Sequence, residues 1–346
     1  MKFLHSEDQL DLRDGAQEFL RGVCTVEKLR ELKDAGSADL GVWAALAELG
    51  LLGFLASEEH GGLGMDAMGF ALIAEQAGYV ALPEPLTDVA GVAMPVLNAL
   101  GRSDLCQSIA GGETRVLTMH TVNPYVNQLA DNDKLLILNE NEVRLANAAD
   151  CSVESIESID PLRRLSGVTL DDGVGEVISE GEQATALCDL ALHSGALYSA
   201  AELLGLAAGM IDMATAYAKE RHQFGKPIGS YQAVKHHLSS AFVALEFARP
   251  TVYRASHDLV MCTANAELAV AHAKIAATDA AMQAAEVAIQ VHGGMGYTFE
   301  VDLHLWMKRV WALAGLWGDR NHHMNMVDKA LFEGGLSLGP ANTFAA

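Results

Sequence analysis

The strongest constraint on the fold is the second half of the chain, which is poor in proline and rich in alanine, leucine and methionine at helical spacing. The pattern breaks near Lys226-Pro227-Ile228-Gly229, near Ala264-Asn265 and at Gly293-Gly294-Met295-Gly296. We therefore predict four long helices packed as a bundle over residues 189–346. Alanine on more than one face of such helices favours burial against a second chain, so an oligomer is expected.

The first part of the chain, residues 1–110, also has helical periodicity. Ser6 followed by Gln9 is typical of a capping box at a helix start. A second helical stretch lies around Trp43 and runs into the glycine-rich turn at residues 58–64, after which the helical pattern resumes. Pro83 and Pro85 are expected to end that element. These features predict an N-terminal helical domain.

Residues 111–188 have a different pattern, with short β-prone runs separated by Asn, Asp, Gly and Pro. The runs are 115–118, 135–138, 143–145 and 167–170. A hairpin is predicted from Leu135 to Leu145, with Asn in a positive-φ conformation in the turn at residues 139–142. The expected fold is mainly α with a small central β-domain, divided into residues 1–110, 111–188 and 189–346.

Composition narrows the class of protein further. The chain has 346 residues, half of them apolar, and a formal net charge of −22. It can therefore bury a large core, and nucleic acid or an anionic membrane surface is an unfavourable partner. The first residues reach Glu7 and Asp8 before an apolar stretch forms, and apolar runs stop short of the ~18 residues of a membrane span. We expect a cytoplasmic protein without a membrane span.

Cysteine and histidine give no sign of a cross-linked or metal-binding protein. The five cysteines are scattered without a CxxC pair, which favours reduced and mostly buried thiols. The histidines of the pairs at 236–237 and 322–323 are adjacent in predicted helices and point about 100° apart. We therefore predict no metal site.

Two segments contain residues suited to binding chemistry. Residues 220–228, ERHQFGKPI, place two cations, an aromatic ring and a glycine between two predicted helices, where an anion such as a diphosphate could be bound. Residues 290–298, QVHGGMGYT, place consecutive glycines and the amide of Gln290 at another helix end. Composition alone leaves open whether the cations of the first segment only balance the acidic background.

Four stretches in order give the chain a resemblance to a known family. They are WAALAELGLLGFLASEEHGGLG at 43–64, ALIAEQAG at 71–78, ERHQFGKPIGSYQ at 220–232 and QVHGGMGYTFE at 290–300. Together they resemble the acyl-CoA dehydrogenase family. The resemblance implies a helical domain, a β-domain and a four-helix bundle, with bound FAD and an acyl-CoA thioester as substrate. Six residues match positions that reach across a dimer interface to the diphosphate and adenosine of the neighbouring subunit's FAD: Arg221, Gln223, Phe224, Gln290, Gly293 and Gly294.

The positions that carry the catalytic glutamate in the family are occupied by other residues. An ungapped count from the Gly293-Gly294 turn places Trp317 at the usual base position and Gly195 at the alternative one. The family's flavin-cradling loop is also missing, and only residues 118–121 remain near its expected start. This pattern resembles the shortened non-catalytic subunit of bacterial α2β2 acyl-CoA dehydrogenases, which are associated with steroid side-chain β-oxidation and lipid metabolism.

The resemblance therefore implies two protein partners and a substrate class. A second acyl-CoA dehydrogenase homologue would supply the catalytic base, and an electron-transfer flavoprotein would accept the electrons. A steroid side-chain CoA ester is one candidate substrate.

Two alternatives remain open. The first is a self-sufficient, homo-oligomeric dehydrogenase with a displaced base, for which Asp319 and Glu202 are the nearest acidic candidates. Both also have structural interpretations, Asp319 as a surface pair with Arg320 and Glu202 as a solvated helix residue. The second alternative is a flavin-free binding or scaffold protein in which the segments at Arg221 and Gly293 are relics.

Overall fold

The computed structural model describes residues 5–35, 40–171 and 173–334. Within them the α-helices are α1 (Glu7–Val23), α2 (Val26–Ala35), α3 (Leu40–Glu48), α4 (Ala67–Tyr79), α5 (Met94–Ala99), α6 (Ser103–Ala110), α7 (Gly181–Glu220), α8 (Gln232–Val260), α9 (Ala266–His292), α10 (Leu303–Ala314) and α11 (Arg320–Phe332). The strands are β1 (Val116–His120), β2 (Tyr125–Asn127), β3 (Lys134–Asn139), β4 (Glu142–Asn147), β5 (Ser152–Ile156), β6 (Leu165–Thr169), β7 (Glu176–Glu180), β8 (His222–Gln223) and β9 (Lys226–Pro227). The expectation of a mainly α chain with a small β-domain is confirmed.

The N-terminal helices follow local sequence signals. Ser6 Oγ accepts a hydrogen bond from the Gln9 amide, and Gln9 Oε1 accepts one from the Ser6 amide, so the predicted capping box is present. The glycine-rich turn contains a short 3-10 turn followed by Gly61 in the left-handed region, with a φ of 74°. Helix α4 ends at Tyr79, shortly before the two prolines.

The chain forms two compact units that are discontinuous in sequence. The first, the bundle unit, comprises residues 1–26, 71–82 and 199–346. The second, the sheet unit, comprises residues 27–70 and 83–198. The predicted domain boundaries at 110 and 188 are a division of the sequence and remain a prediction.

The bundle unit contains the alanine-rich helices. Helices α8 and α9 lie against each other, and α9 also contacts α10 and α11. The three predicted interruptions are present, but a further break at residues 315–319 divides the expected fourth helix into α10 and α11. Trp317 and Gly318 both have positive φ angles in this break, and an α-helix cannot continue through them.

Helix α7 corrects the expectation that every apolar run is too short or too polar to resemble a membrane span. An 18-residue window within it has a mean hydropathy of 1.3, so it meets the length and composition of a membrane span. Of that window, 89 % is buried inside the protein, and the buried core helix of a soluble protein meets the same criterion. The acidic residues that interrupt the apolar runs of α7 did not lower its mean hydropathy below that of a membrane-span candidate.

The sheet unit contains two small sheets. One has the order β1-β3-β4-β7, with β1 parallel to β3 and the other pairs antiparallel. The other has the order β2-β6-β5. All four predicted β-prone runs are strands, and the predicted hairpin is β3–β4 with Asn139 paired to Glu142. Its turn uses no positive φ, so that detail of the prediction was wrong. Strands β2, β5 and β7 were not predicted, because they are short or exposed and lack an apolar run.

The five cysteines are free thiols, as expected. Cys24, Cys106 and Cys188 are buried, Cys151 is half-buried and Cys262 is exposed. Among the described residues, no group of three or more His, Cys, Asp or Glu side chains is arranged to hold a metal ion.

Candidate cofactor-contacting site

The segment after α7 forms a short two-stranded hairpin, β8–β9, which we call the Phe224 hairpin (residues 221–228). His222 pairs with Pro227 and Gln223 with Lys226, and the Ile228 amide donates a hydrogen bond of 2.8 Å to the Arg221 carbonyl. The turn consists of Phe224 and Gly225, whose φ angles are 53° and 83°. Two consecutive positive φ angles match the right-handed twist of a two-residue hairpin. Gly225 accommodates this without cost, whereas for Phe224 the conformation is strained.

Tyr231 braces the hairpin from its base. Its hydroxyl donates a hydrogen bond of 3.1 Å to the Gln223 carbonyl. The Lys226 ammonium lies 4.3 Å from the centre of the Tyr231 ring, close enough for a cation–π interaction. These contacts hold the turn in place, although Phe224 itself is 92 % exposed. An aromatic ring in a strained and almost fully exposed position is typical of a residue that contacts another molecule.

Arg221 is the charged residue of the hairpin. Its backbone amide donates to the Tyr217 carbonyl at 2.8 Å, so the residue continues the end of α7. Its side chain is exposed, and no carboxylate of the described part of the chain lies within ion-pairing distance. In a protein with a net charge of −22, a guanidinium without a carboxylate partner can bind an external anion.

The second motif lies at the end of α9. His292 is the last helical residue, and Gly293 follows with a φ of 61° and a ψ of −138°, a conformation open only to glycine. Around Gly293 and Gly294 no heavy atom lies within 4 Å of the position that a Cβ would occupy. A Cβ on Gly296, by contrast, would approach the Ile289 carbonyl oxygen to 2.9 Å. Gly293 is therefore required by conformation and Gly296 by packing. Gly294 is required by neither and leaves its backbone open to a ligand.

The structure brings the two motifs together. The Tyr217 ring, four positions before Arg221, is stacked on the His292 ring with 4.3 Å between centroids. His292 Nδ1 lies 2.8 Å from the Ala288 carbonyl oxygen, so this nitrogen carries the proton. Burial lowers the pKa of His292, and the ring is neutral at pH 7. The exposed Gln290, Gly293 and Gly294 thus lie at the same end of the bundle unit as Arg221, Gln223 and Phe224.

The loop at the usual base position, residues 315–319, which we call the base-position loop, has no acid facing inward. Trp317 is buried, and its carbonyl accepts a hydrogen bond of 3.1 Å from His323 Nε2. Asp319 is the N-cap of α11, where its Oδ1 accepts the His322 amide at 2.8 Å. Arg320 pairs with Asp279 at 2.9 Å, so the expected Asp319–Arg320 surface pair was wrong. Asp319 is thereby already engaged in capping a helix.

The other two candidate positions lie in α7. Glu202 is half-buried, and a Cβ on Gly78 would overlap its backbone carbonyl. This close approach shows that Glu202 stands where α4 and α7 cross. Gly195 is buried within the same helix but belongs to the sheet unit. Position 195 has no carboxylate, and Glu202 lies at this helix crossing.

Sequence reasoning missed Lys274, which supports the base-position loop. Its side chain is fully buried, and Nζ donates to Ser199 Oγ at 2.9 Å and to the Leu313 carbonyl at 2.8 Å. Burial first, and the Lys274 charge second, lower the pKa of His323 to about 4. The available signal was a single lysine within an alanine-rich stretch, because such a cation requires specific partners when buried.

In the sheet unit, the segment retained near the expected flavin loop is already hydrogen-bonded. The Thr118 amide donates to Asp88 Oδ2 at 3.0 Å, and the Thr118 hydroxyl makes a very short contact with Asp88 Oδ1. Burial raises the pKa of Asp88 to about 6, while the bonds from Thr118 oppose that rise. His120 is buried, and its Nδ1 accepts the Val122 amide at 3.0 Å. These groups therefore do not form an open cradle.

Comparison with known proteins identifies the class. Sequence models of the acyl-CoA dehydrogenase N-terminal and C-terminal domains match residues 6–109 and 186–332. The chain belongs to the acyl-CoA dehydrogenase family, whose enzymes are FAD-dependent oxidoreductases. It is 29 % identical over 337 residues to acyl-CoA dehydrogenase IpdE2 of Mycolicibacterium smegmatis, covering 94 % of this chain and 100 % of that one.

Two solved structures share the fold over nearly the whole chain. The Tcur3481–Tcur3483 steroid acyl-CoA dehydrogenase, as a G363A variant, matches with a TM-score of 0.86 and 23 % identity, covering 96 % of this chain and 99 % of that one. The ChsE4–ChsE5 complex from Mycobacterium tuberculosis matches with a TM-score of 0.86 and 22 % identity, with the same coverage. The predicted family is confirmed.

The residues present fit one part of an FAD site. The unpaired Arg221, the exposed Phe224 and the open backbone at Gly294 suit the diphosphate and adenosine of a dinucleotide. The Thr118 segment does not fit the flavin ring, because its amide and hydroxyl are bound to Asp88.

Proposed function

We propose that this chain is the base-less subunit of a hetero-oligomeric acyl-CoA dehydrogenase and completes the FAD site of a catalytic partner. The observation that carries the proposal is the Phe224 hairpin, which leaves Phe224 almost fully exposed and Arg221 exposed, with no carboxylate of the described residues paired to Arg221. When bound, FAD supplies the hydride acceptor for α,β-dehydrogenation of an acyl-CoA thioester. Arg221, Gln223 and Phe224, with Gln290, Gly293 and Gly294, are the residues that would contact it.

The base-position loop supports a role without proton abstraction. Trp317 fills the position with an indole, and Asp319 is used by α11 as its cap. A general base must lie within hydrogen-bonding reach of the proton that it removes. The proposal assigns that base to the partner, a second acyl-CoA dehydrogenase homologue.

Substrate and assembly are proposed from the relatives. Both structures with a TM-score of 0.86 have names that pair two components, and one is a steroid acyl-CoA dehydrogenase. We propose an α2β2 assembly that acts on a steroid side-chain CoA ester in β-oxidation in the cytoplasm. An electron-transfer flavoprotein is the proposed electron acceptor.

The self-sufficient enzyme and the flavin-free scaffold are less well supported. The first requires a carboxylate base from Asp319 or Glu202, and these residues lie at a helix cap and a helix crossing. The second does not explain why a strained, exposed Phe224 and an open Gly294 occur at the same end of one unit.

Co-expression tests the subunit assignment. The chain expressed alone is expected to carry little flavin, whereas the chain co-purified with its partner homologue should be yellow and active. Native mass and the visible absorption spectrum report both properties. Full flavin loading and turnover by the chain alone would reject the assignment in favour of the self-sufficient enzyme.

Arg221→Ala tests the cofactor contact in the intact complex. Loss of a charge-assisted contact is expected to weaken FAD retention by about ten-fold or more. Arg320→Ala is the matched control, because Arg320 is an exposed arginine paired with Asp279 and is expected to leave retention unchanged. Equal FAD content in both variants would mean that Arg221 has only a structural role.

A further inference from the structure

The sheet unit contains a cavity of about 380 Å³ that the proposed function does not use. Its walls come from α3, from the segment before β1, from the segment between β2 and β3, and from strand β5, strand β6 and the residue before β6. The polar and aromatic residues that line it include Trp43, Arg115, Gln128, Ser155, Arg164 and Ser166. The volume falls in the range of small-molecule sites, which begins near ~300 Å³.

Arg115 is part of the scaffold of this cavity. Its Nε and Nη2 donate to the two carboxylate oxygens of Asp133 at 2.9 and 2.5 Å, and Nη2 also donates to the Gln128 carbonyl at 2.7 Å. Asp133 is almost completely buried. The charge of Arg115 is therefore neutralised, and the contacts fix one wall of the cavity.

Arg164 differs from Arg115 because no counter-ion pairs with it in the part of the chain that the structure describes. Its guanidinium donates one long hydrogen bond, of 3.3 Å, from Nη2 to the Leu32 carbonyl. No carboxylate in the described ranges lies within ion-pairing distance of its guanidinium. Burial lowers the pKa of Arg164. A partly buried cation without a carboxylate is unfavourable by itself, so a bound anion would offset that cost.

Neutral donors surround the same space. Trp43 is only 5 % exposed, and its indole N–H is buried without an acceptor among the described residues. A buried donor without a partner is unusual in native proteins and calls for an explanation. Ser155 and Ser166 are cross-strand partners, and their hydroxyls make no hydrogen bond within the described part of the chain.

We propose that this cavity binds a small amphipathic anion. One carboxylate or phosphate group is held by Arg164 and the serine hydroxyls, and the apolar body of the ligand packs against Trp43 and Leu129. Glu113 also lines the cavity, so a second anionic group on the ligand is disfavoured. The site requires neither flavin nor the base-position loop, and it can be tested whether or not the proposed function holds.

Calorimetric titration of the purified protein or its complex tests the site at constant ionic strength. The probes are benzoate, phenyl phosphate and the neutral benzyl alcohol. Saturable 1:1 binding of at least one anion is expected, with benzyl alcohol at least ~10-fold weaker. The ratio between the two anions then distinguishes a carboxylate ligand from a phosphate ligand.

Substitution of Arg164 tests whether this residue holds the anion. Arg164→Gln is expected to weaken binding of the anion by at least ~10-fold, whereas Arg320→Gln on the surface should leave it unchanged. The proposal is overturned if neither anion binds saturably or if Arg164→Gln retains the full affinity.

Chemical modification keeps the test decisive if Arg164→Gln fails to fold. Phenylglyoxal labels accessible arginines of the wild-type protein, and peptide mass spectrometry locates each label. A saturating anion is expected to slow labelling of Arg164 several-fold without slowing that of Arg320. Equal labelling rates with and without the anion would contradict the proposal.

Discussion

Gly294 and Gly296 belong to one motif, but the absence of a side chain has a different physical consequence at each position. A Cβ added to Gly294 meets no atom within 4 Å, whereas one added to Gly296 lies 2.9 Å from the Ile289 carbonyl oxygen. The first position is open to a ligand, and the second is closed by the protein itself.

These two glycines give a matched pair of variants. Gly294→Ala is expected to keep the wild-type unfolding temperature but to lower FAD retention in the complex, because the methyl group occupies the space offered to the cofactor. Gly296→Ala should lower stability by about 1–3 kcal/mol through overpacking. Thermal unfolding and flavin absorbance measure the two effects. Normal flavin content in Gly294→Ala would show that the cofactor does not approach this backbone.

Asp88 is a half-buried residue whose carboxyl titration should be measurable. Burial raises its pKa from 3.8 to about 6 in the folded protein. The folded state therefore holds the proton at pH values where the unfolded state has lost it. The contribution of Asp88 to the free energy of unfolding should fall as pH rises from about 4 to 6, by about 3 kcal/mol in total.

Asp88→Asn removes this titration while keeping an acceptor for the Thr118 amide. The stability of the variant relative to the wild type is expected to increase between pH 4 and pH 7, as followed by urea unfolding at each pH. Asp279→Asn, at an exposed position, serves as the control. A difference that stays constant with pH would show that Asp88 has an ordinary pKa.

At the scale of elements, variants of Asp319 distinguish a role in helix capping from a role in catalysis. Its carboxylate caps α11 through the His322 amide. Asp319→Asn preserves capping and removes a potential base, so the complex should retain both stability and turnover. Asp319→Ala removes the cap and should cost about 1 kcal/mol of stability, with turnover again retained. A collapse of turnover in the folded Asn variant would identify Asp319 as a displaced base.

Helix α8 presents an apolar face without cover in the described chain. Phe242, Val243 and Phe247 are exposed, and Phe247 is 77 % exposed. All three belong to the bundle unit, as does the Phe224 hairpin. Large exposed apolar side chains grouped on one helix are typical of an interface with another chain.

At the scale of the whole molecule, the exposed apolar residues of α8 predict that a charge introduced among them weakens assembly of the complex. Phe247→Asp is expected to reduce recovery of the complex on co-purification by at least ~10-fold, because burying an unpaired carboxylate opposes association. Ile159→Asp introduces the same charge at an exposed apolar residue of the sheet unit and should leave recovery unchanged. Native mass spectrometry measures both. Undiminished assembly of Phe247→Asp would place the interface elsewhere.

The sequence by itself determined the features that depend on neighbours along the chain. The capping box at Ser6, the hairpin at residues 135–145 and the helix breaks near 226, 264 and 293 follow from local propensity and turn chemistry. The four family-like stretches also identified the family. The additional break at 315–319 was not predicted, because it depends on positive φ at Trp317, a residue with no intrinsic preference for it.

Only the tertiary structure decided which side chains meet and which remain free. The stacking of Tyr217 on His292 joins two motifs that lie far apart in sequence, and Lys274 finds its partners Ser199 and Leu313 on other helices. Likewise, no sequence pattern indicates that Asp88 occupies the donors of Thr118 or that Arg164 has no counter-ion among the described residues. Local propensities act over a few residues, whereas burial, pairing and pKa depend on groups brought together by folding.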